Sequence, residues 1–120
     1  MTLSAHQLQA AIIAALEEIK AKDIVTIDVR EITSMTDTMI IASAESVRQT
    51  KALANNVVER LNELGKKPVG TEGEQTGEWI LLDFGDAIVH IMQPAVRQYY
   101  DLEGLWGAVE PRRKPAIAHA

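Results

Sequence analysis

Most of the residues that could do chemistry fall between Glu72 and Trp106. Asp83-Phe84-Gly85 spells the metal-binding triplet of protein kinases. The chain has no glycine-rich phosphate loop and no catalytic-loop motif, and its 120 residues are far too few for that fold. A metal centre needs three or four converging ligands. Asp83 and His90 would lie diagonally on one face of a hairpin, about 7–8 Å apart at their β-carbons. Glu72, Glu74 or Asp86 could join them only through loop placement, and His6 and His119 are near the termini. Glu72-x-Glu74 and Asp101-x-Glu103 supply paired carboxylates, as metal-dependent nucleotidyl transfer requires, but no Asp-x-Asp occurs and no basic residue stands nearby to bind a triphosphate. No Gly-x-Ser-x-Gly or Ser-His-Asp pattern can be assembled. The absence of cysteine excludes thiol catalysis, disulfides, iron–sulfur clusters and cysteine-ligated zinc. The expectation is a protein that is not an enzyme, with no catalytic, cofactor or metal site.

A binding surface is the better reading of the same segment. Trp79–Phe84 and Ala87–Met92 are two strands flanking Gly85-Asp86, a two-residue hairpin turn. With that turn Phe84 faces Ala87, Leu82 faces Val89 and Ile80 faces Ile91, an apolar core side. The other side pairs Trp79 with Met92, Leu81 with His90, and Asp83 with Ile88. A sheet face turned to water should be polar, and this one is not. Either helices cover both faces or the surface waits for a partner. Tyr99, Tyr100 and Trp106 follow directly, and aromatic residues of this kind are the usual anchors of protein interfaces.

The elements that position this hairpin read as α-β-β-α-β-β-β-α. A helix spans about Leu3 to Lys20, with Ser4 and Gln7 at capping-box spacing and Leu8, Ile12, Ala15, Leu16 and Ile19 at helical intervals. Asp23–Val29 is a strand, Arg30–Asp37 a polar connection, and Thr38–Ala44 a central strand covered on both faces. Ser46 and Gln49 open a second helix with the stripe Leu53, Val57, Leu61 and Leu64, stopped by Gly65 and Pro68. Val69–Gly73 is a short strand. If it pairs beside Thr38–Ala44, the strand–helix–strand unit makes a right-handed parallel crossover and the sheet is mixed. Pro94 opens a terminal helix to about Trp106. The predicted fold class is α/β, a mixed five-stranded sheet with flanking helices.

Charge is distributed unevenly. Residues 69–108 carry Arg97 against seven carboxylates, a net of −6, whereas residues 1–68 are nearly balanced, with eight basic and nine acidic side chains. Binding a phosphate backbone requires clustered Lys and Arg, so the middle of the chain suits a basic partner and not a nucleic acid. The alternative is that the charge only keeps the protein soluble. Composition and length fit one globular domain over residues 1–108, with 109–120 a loose basic tail containing Arg112, Arg113 and Lys114. No run approaches a membrane span and no secretory signal opens the chain, so a cytoplasmic location is expected.

The segments Gly77 to Gln93 (GEWILLDFGDAIVHIMQ) and Tyr99 to Trp106 (YYDLEGLW) closely resemble the signature of the ribosomal silencing factors, the bacterial and organellar Iojap family. Ile27-Asp28-Val29, Ser34-Met35-Thr36-Asp37, Met39-Ile40-Ile41-Ala42 and Gly70-Thr71-Glu72-Gly73 match the upstream blocks, so the likeness runs from about residue 5 to 107. Met35 and Gly104 depart from the family pattern. The resemblance implies a nucleotidyltransferase-like fold without known transferase activity. It implies binding to ribosomal protein fourteen of the large subunit, where the small subunit docks, so that subunit joining is blocked and translation falls when nutrients are short. It also implies a homodimer when free. Carried over residue by residue, it assigns partner contacts to Trp79, Leu81, His90, Met92, Tyr100 and Asp101. The basic tail could add a minor ribosomal RNA contact. A large-subunit assembly factor and, less readily, a metal-dependent nucleotidyltransferase-like enzyme are the alternatives.

Overall fold

The computed structural model describes residues 3–107. The tail expected over 109–120 lies outside the described residues. Helix α1 (Ala5–Glu18) starts at a complete capping box: the Gln7 N–H donates to Ser4 Oγ at 3.0 Å and the Ser4 N–H to Gln7 Oε1 at 2.9 Å. Strands β1 (Lys22–Asp28) and β2 (Thr38–Ser43) pair antiparallel, with a bulge near Asp23, whose φ is +51°. Helix α2 (Val47–Glu63) is capped by Ser46 Oγ, which accepts from the Gln49 N–H at 3.0 Å. The capping box is not closed there. The Gln49 amide accepts from Glu45 N–H instead and donates to the Ile19 and Lys20 carbonyls, tying the start of α2 to the end of α1. Leu53, Val57 and Leu61 are buried as expected, but Leu64 is the C-cap and largely exposed.

Strands β3 (Gly70–Glu72), β4 (Trp79–Asp83) and β5 (Ala87–Met92) complete a five-stranded mixed sheet of order β1-β2-β5-β4-β3. The hairpin register is the one read from the sequence: Trp79 opposite Met92, Ile80 opposite Ile91, Leu81 opposite His90 and Leu82 opposite Val89. The parallel pair is not the expected one. β2 pairs parallel with β5, and β3 runs antiparallel to β4 at the sheet edge. The reason lies in burial. A parallel pair is normally covered on both faces; β2 and β5 are buried almost throughout, whereas β3 is three residues long and partly exposed.

Helices cover both faces. On one, α1 and α2 pack Leu8, Ile12, Leu16, Leu53, Val57 and Leu61 against Ile40, Ile80, Leu82, Phe84, Val89 and Ile91. The opposite face is a smaller cluster of Ile27, Val29, Met39, Ile41 and Met92. It is closed by Val96 of α3 (Pro94–Tyr100) and by Leu102 and Trp106 of α4 (Leu102–Gly107). The terminal helix expected to run unbroken is therefore two helices. Asp101 adopts the left-handed region between them (φ +48°, ψ +56°), and its carboxylate accepts from the Gly104 N–H at 3.0 Å. A β-carbon at position 104 would collide with that carboxylate, so a larger residue there would push the Asp101 side chain off the Gly104 N–H.

Candidate protein-binding site

The hairpin's second face emerges from under α3 at its β4 side. Trp79 stands at the start of β4, half-buried. Its ring stacks obliquely on Tyr100 of α3 at 4.9 Å between centroids, and Tyr100 meets Tyr99 edge-on at 5.0 Å. On the other side the Trp79 indole N–H donates to His90 Nδ1 at 3.0 Å. Thr76, Glu78, Trp79, Ala95, Val96, Tyr99 and Tyr100 line an open, mainly apolar cleft of about 320 Å³. Tyr99 is 81% exposed and Tyr100 54%. A row of three rings with one side in water offers a large rigid area at small entropic cost, the character of an interface anchor.

Of the six residues expected to touch a partner, four are accessible to differing degrees. Tyr100 and Asp101 are exposed, while Trp79 and Leu81 are half-buried. His90 and Met92 are not accessible: His90 is 5% exposed and Met92 fully buried. Both point to the predicted face, but the Trp79 ring lies against His90 and Met92 packs in the cluster closed by Val96, Leu102 and Trp106, so neither offers surface in this conformation. Tyr99, one of the aromatic anchors but not one of the six expected contacts, is the most exposed ring of the row, and Arg97, expected only as a charge, is buried. Tyr99 was visible as the neighbour of Tyr100. The contacts of Arg97 are not visible in this way, because Glu103 reaches it only through the turn at Asp101 and Ser43 comes from β2.

His90 is held neutral by its surroundings. Burial lowers its pKa from 6.5 to about 4. The indole donor also requires an unprotonated Nδ1, which puts the imidazole proton on Nε2. Asp83, its expected companion in a metal site, turns its carboxylate to the Gly85 N–H at 2.8 Å. Among the described residues no three His, Asp or Glu side chains converge. On the other side of α3 a polar groove of about 800 Å³ is lined by Asp23, Ser43, Arg97, Asp101 and Glu103, with Arg97 already engaged by Glu103 and Ser43.

The family model described as ribosomal silencing factor during starvation matches residues 2–119 of this chain. The chain belongs to the ribosomal silencing factor family. A Chromobacterium violaceum protein named ribosomal silencing factor RsfS is 50% identical over 106 residues, spanning 88% of this chain and 87% of its own length. A crystal structure of a protein from that organism, also 50% identical, matches with a TM-score of 0.86 over 88% of each chain. A mouse protein named mitochondrial assembly of ribosomal large subunit protein 1 is 32% identical over 98 residues, 79% of this chain but 43% of its own. The ribosomal silencing factor family is thus one of translation regulators by name. In this family member no described helix is long and apolar enough to cross a membrane.

Proposed function

We propose that this protein binds the large ribosomal subunit through its ribosomal protein fourteen and blocks joining of the small subunit by occupying the docking surface. Translation would fall in consequence when nutrients are limiting. One observation carries the reading: the Trp79–Tyr100–Tyr99 row beside an open apolar cleft, in the most acidic part of the chain. That combination suits a basic protein, because apolar rings supply area while carboxylates such as Glu78 and Asp101 select positive charge. The domain proposed to do this is residues 1–108, acting in the cytoplasm and pairing as a homodimer when free. The basic residues Arg112, Arg113 and Lys114 would add at most a weak ribosomal RNA contact.

The mechanism is steric. One bound copy per large subunit suffices, and no bond is made or broken. Excess protein should prevent free subunits from joining at constant magnesium, without nucleoside triphosphate, while leaving assembled ribosomes intact because their docking surface is covered. Inhibition that required a nucleotide, or that grew with incubation time as turnover would, would sink the steric reading. The name of the mouse relative favours a second reading, in which the same surface serves assembly of the large subunit. Tighter binding to immature than to mature large subunits would support that role.

A further inference from the structure

We propose that His90 is a positioning residue for the partner contact: out of reach of any partner itself, its imidazole holds the Trp79 indole in the orientation that the partner meets. The proposal rests on the binding reading above. A part-buried tryptophan at the start of a strand can take more than one staggered rotamer when nothing fixes its ring, and choosing one on binding costs conformational entropy. Besides its packing against the smaller core cluster, two rings restrain Trp79. One is Tyr100, itself more than half exposed and carried on a helix of seven residues. The other is His90, on the strand that lies between β2 and β4, with Ile41 and Leu81 opposite it on either side.

The two restraints differ in kind. Stacking on Tyr100 is tolerant of sliding, whereas the hydrogen bond from Trp79 Nε1 to His90 Nδ1, at 3.0 Å, fixes which way the indole edge faces. Trp79 and His90 are diagonal neighbours on the antiparallel β4–β5 pair, which is within reach for long side chains. Burial favours the neutral imidazole, so the acceptor is present near neutral pH. Once a partner covers the indole, its N–H would be cut off from water, and losing the histidine would leave a buried donor unsatisfied in the complex. His90 therefore contributes to binding without touching the partner.

The test compares His90→Phe, which keeps a ring but has no acceptor, with His90→Asn, whose amide oxygen falls near the position of Nδ1. Binding to purified large subunits is titrated for each. The indole N–H resonances are recorded in parallel, with Trp106 as internal reference. His90→Phe should shift the Trp79 resonance alone and raise Kd about tenfold. His90→Asn should return Kd to within about threefold of the parent, and in a Trp79→Phe background His90→Phe should add less than about twofold. Parent-like binding by His90→Phe overturns the proposal. So does an equal loss in both backgrounds, or an unmoved Trp79 resonance. If His90→Phe fails to fold, His90→Leu replaces it in the same comparison. Should Trp79→Phe and Tyr100→Ala both bind as the parent does, the binding surface itself would be wrong, which is a different failure.

Discussion

Arg97 and Glu103 close the corner between α3 and α4 with a two-pronged ion pair, Nε to Oε1 and Nη2 to Oε2 both at 2.9 Å. The third arm of the guanidinium donates to Ser43 Oγ on β2 at 2.7 Å. The side chains are 10% and 23% exposed, so solvent screens this pair far less than the surface pairs elsewhere. One arginine thus joins both terminal helices to the sheet.

Removing one partner should strand a nearly buried charge. Glu103→Ala is expected to lower unfolding free energy by about 3 kcal/mol, whereas a paired Arg97→Met, Glu103→Leu replacement should recover most of that. Urea unfolding curves read both. A single variant as stable as the parent would mean that the corner is held by apolar packing of Leu102 and Trp106 alone.

The aromatic row separates binding from stability at one position better than at another. Trp79 packs partly into the smaller core cluster, so Trp79→Ala should cost about 1–3 kcal/mol of fold stability besides weakening partner binding. Tyr99, at 81% exposed, should change stability by less than about 0.5 kcal/mol when cut to alanine. It should nonetheless weaken large-subunit binding about fivefold. Thermal melts and co-sedimentation measure the two effects. Unchanged binding by Tyr99→Ala would confine the contact to Trp79 and Tyr100.

Stability should fall on mild acidification through His90. Its pKa in the folded protein, about 4, lies below the ordinary 6.5, so the unfolded chain takes up the proton first. The contribution is complete above pH 6.5 and is lost as pH drops toward 4; at roughly 1.4 kcal/mol per unit this amounts to about 3 kcal/mol. Glu18 and Glu74, whose carboxyls are held below 4.5 chiefly by hydrogen bonds from Asn56 and Thr71, lose support only at lower pH. Unfolding curves between pH 7 and 4.5 should therefore steepen this loss in the parent and flatten it in His90→Phe.

Association should slow with salt. The net of −6 over residues 69–108 would steer a basic ribosomal protein, and mobile ions screen that attraction beyond about 8 Å at physiological strength. Stopped-flow rates with isolated ribosomal protein fourteen should drop clearly between low and high salt. A flat profile would leave the acidic stretch with a role in solubility only.

The hairpin could be read from the amino acids because its side chains alternate with a period of two and its turn holds two residues. Once Gly85-Asp86 is placed, Trp79, Leu81, His90 and Met92 must share one face and Ile80, Leu82, Val89 and Ile91 the other. Helix starts were equally local, since Ser4 and Ser46 accept from N–H groups three residues on. Strand order was not local. β3 was expected beside β2, but joining strands across a long connection depends on which of them can be covered on both faces, and β5 meets that condition. Exposure was not local either. His90 and Met92 lie on the predicted face yet are buried, because the Trp79 ring lies against His90 while Val96, Leu102 and Trp106 close the cluster that holds Met92. Arg97 and Glu103, six residues apart, would point away from each other along one continuous helix. Only the turn at Asp101 brings their charges together, and sequence spacing carries no record of a contact made by folding back.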